Sequence, residues 1–164
     1  MKLSRSIRTS ILVVAIGLIG CEPNRPTFDE NIAFVEDHRD DLATLVSDIQ
    51  NQSSLRRLIR SNGREYVTVI YRDGRIVEGY IDDWKWDNEI LVWIKRLQAA
   101  ECHGFDDNPE WLTSLYLDQS TYIAVPREVP VDEEYTAWAK AGENREGYRC
   151  FDLGDGWYLD VQAN

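Results

Sequence analysis

Arg72-Asp73-Gly74-Arg75 stands between two β-rich runs, Tyr66 to Tyr71 (Tyr-Val-Thr-Val-Ile-Tyr) and Ile76 to Ile81 (Ile-Val-Glu-Gly-Tyr-Ile). An Asp-Gly pair in that position is the strongest short hairpin signal, because the tight turns that match strand twist need residues tolerant of positive φ. The chain must therefore build an antiparallel sheet, and the rest of it is read for what can cover that sheet.

Thr27 followed by Glu30 has capping-box spacing. Ile32, Val35, Leu42, Leu45, Val46 and Ile49 then recur at helical intervals, which predicts one amphipathic helix ending near Gln50. Ser53 or Ser54 is expected to cap a second, shorter helix through Leu55, Leu58 and Ile59, stopped by Asn62-Gly63. After the hairpin, the stretch from Asp82 to Asn88 reads as a turn with a short third strand. Asp87 or Asn88 then caps a helix carrying Ile90, Trp93, Ile94 and Leu97, with Gly104 just beyond its end. This helix would deliver Cys102 to the sheet. Asp106-Asp107-Asn108-Pro109 reads as a turn, and Trp111 to Leu117 as a strand hairpinned through Asp118-Gln119-Ser120 to Thr121 to Val125. Val131 to Ala141 forms a short helix around Tyr135 and Trp138, and Tyr148 to Leu153 and Trp157 to Val161 close the chain as a hairpin. The expectation is an α+β domain: N-terminal helices, then an antiparallel sheet of hairpins with an interposed helix, closed by one disulfide.

The first residues have a different character. Met1 to Ser10 carries Lys2, Arg5 and Arg8 and no acid, and Ile11 to Ile19 is an apolar run of nine. A spanning helix needs about 20 residues, so the run reads as a signal-peptide core. It ends in Leu18-Ile19-Gly20-Cys21, which resembles the lipobox of bacterial lipoproteins. The resemblance implies cleavage before Cys21, acylation of its thiol and amine, and anchoring of the remaining chain to a lipid bilayer. Two or three acyl chains are needed for stable anchoring, at about 0.8 kcal/mol per buried methylene. Glu22, rather than aspartate, follows the cysteine, which by the enterobacterial sorting rule favours the outer membrane over the inner one. The expected organisation is a signal peptide over 1–20, a short tether over 21–26 and a single domain over 27–164. The tether reaches at most about 20 Å, so the domain is expected close to the membrane.

Removal of residues 1–20 takes away three positive charges and no negative ones, lowering the formal charge from −11 to −14. Nucleic acid and anionic lipid are poor partners for such a domain, whereas a basic protein is attracted and steered. Two cysteines remain after Cys21, and an even pair in an oxidising compartment predicts a Cys102–Cys150 bridge. By the chain-entropy argument, its loop of about 49 residues would add about 4 kcal/mol of stability.

No catalytic, metal or cofactor motif stands out. No Gly-x-Ser-x-Gly is present, His38 reads as a packed histidine of the first helix, and His103 as a cap of the third. The sequences around Asp106 and Asp152 look faintly like calcium loops but lack the alternating oxygen ligands, and read as turns. Asp82, Asp83, Trp84 and Trp86 form a candidate acidic, aromatic patch for a sugar or a cation, or else pack and cap locally. The leading expectation is a non-catalytic lipoprotein on the periplasmic face that binds another, basic protein, in the manner of immunity proteins, inhibitors or envelope accessories. The alternatives are a small envelope hydrolase using paired carboxylates and a binder of a small ligand or sugar.

Overall fold

A computed structural model describes residues 27–61, 65–83, 85–127, 129–141, 144–145 and 148–162. The expected signal peptide, Cys21 and its tether, Asn62-Gly63 and Trp84 lie outside the described residues.

The capping box is present, with Thr27 N–H donating to Glu30 Oε2 at 2.6 Å and Glu30 N–H to Thr27 Oγ1 at 3.4 Å. The helix expected from it is two: α1 (Phe28–Asp37) and α2 (Arg39–Asn51), broken at His38 where φ is −112° and ψ 16°. His38 is exposed rather than packed in a core, stacked on Phe34 with centroids 4.5 Å apart.

The next expected helix is a strand, β1 (Leu55–Ser61). Leu55, Leu58 and Ile59 have helical spacing, but a β-bulge between Leu55 and Arg57 shifts the phase, so that Leu55 and Leu58 both point into the core. The Asp73-Gly74 hairpin is present as β2 (Tyr66–Tyr71) and β3 (Ile76–Tyr80). No strand occurs among the described residues of 82–88. α3 (Asn88–Ala99) begins with the Asp87 carboxylate accepting from Ile90 N–H at 2.9 Å. It ends before Glu101, whose φ is +56°, so neither His103 nor Gly104 stops it. Gly104 meets a different need: a Cβ there would run into Leu58 O and Ile59 Cα of the neighbouring strand. It opens β4 (Gly104–Asn108), which replaces the turn expected at the acidic stretch.

β5 (Leu112–Tyr116), β6 (Thr121–Pro126), α4 (Val129–Ala141), the two-residue β7 (Asn144–Arg145), β8 (Tyr148–Gly154) and β9 (Trp157–Gln162) complete the order. The described strands form one sheet in the order β3-β2-β1-β4-β5-β6-β9-β8-β7, and every neighbouring pair is antiparallel. The protein is thus mixed α and β around an antiparallel sheet, with α3 and α4 set between strands rather than all helices leading.

Register explains the core. Val77, Val69, Leu58, Phe105, Leu115, Ile123, Leu159 and Phe151 are cross-strand partners in turn, one apolar row running across eight strands. α1, α2 and α3 cover this face with Val35, Leu42, Leu45, Ile49, Ile90, Ile94 and Leu97, and Trp93 tilts onto Phe105 at 5.4 Å. On the other face α4 covers only one end, where Tyr135 joins Ala124, Cys150 and Tyr158.

The expected disulfide is absent: Cys102 and Cys150 are not bonded to each other. Cys102 belongs to the helix-covered cluster, and Cys150 lies under α4 on the opposite face. β4 and β8 are also separated by three strands, or about 19 Å at the usual spacing. A bridge needs Cα atoms within about 7 Å.

Candidate functional site

The second face of the sheet holds two more cross-strand rows. Ile76, Ile70, Arg57, Asp106, Ser114, Ala124, Tyr158 and Asp152 form the first. Glu78, Thr68, Ile59, Gly104, Tyr116, Tyr122, Asp160 and Cys150 form the second. Both rows change character between β5 and β6. On the β6–β9–β8 side they lie under α4; on the β3–β2–β1–β4–β5 side, Ile59, Ile70, Ile76, Tyr66 and Tyr116 belong to neither apolar cluster among the described residues. Ile76 is 60% exposed and Tyr80 52%. Open sheet faces are normally polar and solvated, and this one mixes isoleucine, tyrosine and a cross-strand ion pair.

That ion pair is Arg57 Nε to Asp106 Oδ2 at 3.7 Å. Burial pushes the Asp106 carboxyl above its ordinary value, while Arg57 and Arg56 pull it back. The Arg57 guanidinium also lies 5.8 Å from the Tyr116 ring, and Tyr116 meets Tyr122 at 5.6 Å, where the open half ends.

Under α4 the Tyr122 and Tyr158 phenols and the Cys150 thiol are held neutral. Tyr122 donates to Asp160 Oδ2 at 2.6 Å, and burial, with Tyr135 and Asp160 beside it, raises its phenol far above the usual range. Tyr158 shares a 2.6 Å hydrogen bond with Thr136 and donates to Asp132 Oδ1 at 2.8 Å, its phenol raised mainly by burial. The Cys150 thiol is pushed up to about 12 by burial, then by Asp160 and Asp152, so it is not a nucleophile at neutral pH. Among the described residues no group of three or more metal-ligating side chains comes together. No described helix is long and apolar enough to cross a membrane. The described residues of the open half offer aliphatic and aromatic contact area.

Of the patch foreseen at Asp82, Asp83, Trp84 and Trp86, the structure describes Asp82, Asp83 and Trp86. Trp86 is buried and donates its indole N–H to Tyr80 O at 2.5 Å. Asp83 accepts from Tyr80 N–H at 2.9 Å and pairs with Lys85 at 3.5 Å. Asp82 is exposed, and lines a shallow depression with Glu65, Tyr80, Ile81 and Asp83.

Charge is concentrated elsewhere. Between Thr27 and Asn51 there are seven carboxylates and one arginine. Arg39 turns inward, 4.4 Å over the Trp157 ring, donating to Gly154 O at 2.7 Å. Asp29, Glu30, Glu36, Asp37, Asp40 and Asp41 are exposed. Sequence reasoning missed the open face because β1 was read as a helix. The one signal for it was that Tyr66 to Tyr71 is apolar on both faces of the strand rather than alternating.

No family model, no curated protein and no solved structure matches the chain.

Proposed function

We propose that the chain is a non-catalytic lipoprotein of the extracytoplasmic membrane face, held through acylated Cys21, whose open sheet face docks another, basic protein. One observation carries this reading: the β3–β2–β1–β4–β5 half of the second face has no covering layer among the described residues, yet presents exposed Ile76 and Tyr80 beside half-buried Ile59, Ile70 and Tyr66. Tyrosine and arginine set among aliphatic side chains are the residues that anchor protein interfaces. The acidic outer side of α1 and α2 supports the choice of a basic partner, since it steers association over about a Debye length without having to be part of the contact. The lipobox places the domain within about 20 Å of the bilayer, so the partner is sought in the envelope.

The test is capture from envelope extract by the acylated chain in detergent, at low and at high salt. A basic protein should be retained at low salt, reduced at high salt, and lost with Ile76→Asp, which sits on the open face at an exposed position. Failure to capture any basic protein, or capture indifferent to Ile76→Asp, removes the reading. Separately, Cys21→Ser should abolish fatty-acid labelling and release the chain from membranes; retained labelling refutes the anchor.

A further inference from the structure

Strand β3 is one edge of the sheet, and among the described residues three of its six outward backbone groups are already occupied. Tyr71 N–H donates to Arg75 O and Ile81 N–H to Glu65 O. Antiparallel alternation then turns the N–H and C=O of Ile76, Glu78 and Tyr80 away from β2, towards whatever strand would add to the edge. Three side chains from the segment after β3 fold back onto these groups. Asp83 accepts from Tyr80 N–H at 2.9 Å, Lys85 donates to Glu78 O, and Trp86 Nε1 donates to Tyr80 O at 2.5 Å. Gly79 makes the fold-back feasible: a Cβ there would fall inside van der Waals contact with Lys85 Nζ and Asp83 Oδ2.

We propose that Asp83, Lys85 and Trp86 form an edge guard that prevents β3 from pairing with β3 of a second copy of the chain. The second copy is the fitting occupant because the edge is nearly self-complementary. A two-fold antiparallel pairing centred on Glu78 sets Ile76 against Tyr80 of the copy, uniting two exposed apolar side chains at each end. Glu78 against Glu78 of the copy is the single mismatch, a like-charge repulsion that adds to the guard. The inference is independent of the partner proposed for the open face.

Hydrogen exchange and sedimentation of the full chain in detergent test it. In the wild-type chain the Tyr80 amide should exchange about tenfold more slowly than the Ile76 amide, which has no guard among the described residues. Gly79→Ala, whose methyl meets the Lys85 and Asp83 side chains first, should erase that difference. Combined with Glu78→Thr, which removes the repulsion, it should give concentration-dependent association beyond the wild type's. Equal exchange at the two amides of the wild type overturns the proposal, and so does a folded double variant that sediments as the wild type does. If the variants do not fold, the wild-type comparison decides alone.

Discussion

Arg127, just past the end of β6, turns its guanidinium back onto the fully buried carboxylate of Asp107 in β4. Arg72, after β2, takes the other oxygen, and Thr113 Oγ1 donates at 2.8 Å while accepting from Gln50 of α2 at 3.1 Å. One carboxylate thus ties the first hairpin, the central strands, α2 and the approach to α4. Removing one partner of a buried pair leaves a charge without compensation, at a cost of about 3 kcal/mol. Arg127→Met, which keeps the aliphatic stem, should lower stability by that order in urea denaturation with an unchanged m-value; a loss below about 0.5 kcal/mol would mean that Arg72 alone suffices.

Cys150 makes alkaline stability a measure of its burial. Its thiol stands at about 12 in the folded chain against an ordinary 9.0. A value raised by folding leaves stability intact below about pH 9 and removes it as pH rises towards 12, at up to about 1.4 kcal/mol per pH unit. The raised phenol of Tyr122 acts in the same direction. Urea midpoints from pH 8 to 11 should fall less steeply in Cys150→Ala than in the wild type. Alkylation after unfolding without reductant should modify both Cys102 and Cys150; protection of both would restore the disulfide.

Asp106 lies on the open face with its carboxyl raised by burial. The sign follows directly: the folded state prefers the protonated acid, an advantage complete below the ordinary 3.8 and lost as pH climbs through the raised value. At neutral pH the charge is a liability that Arg57 only partly offsets. Asp106→Asn should therefore stabilise the fold at pH 7 by less than about 1 kcal/mol and lose that gain below pH 4, as read from thermal melts at the two pH values. Destabilisation at pH 7 would assign the Arg57 pair a larger share than burial.

Legibility followed the range of the interactions. The Asp73-Gly74 hairpin, the Thr27 capping box, the Asp87 cap and the β8–β9 hairpin lie as expected, because each is closed by groups a few residues apart. β1 was hidden by a bulge that gives a strand the apolar spacing of a helix. β4 was hidden by its aspartates, which look like a turn until Arg72 and Arg127 are known to neutralise Asp107. The cysteine pair misled for a related reason: even parity carries no distance.

By itself the sequence determined the hairpins, the caps, the acidity and the resemblance of Leu18 to Cys21 to a lipobox, all properties of neighbouring residues or of composition. Tertiary structure alone decided the strand order. That order is selected by burying the row from Val77 to Phe151 under three helices, a sum over eight strands that no local window contains. From it follow the separation of Cys102 from Cys150, the hydrogen bonds of Asp83 and Trp86 to the β3 edge, and a sheet face that α4 covers at only one end.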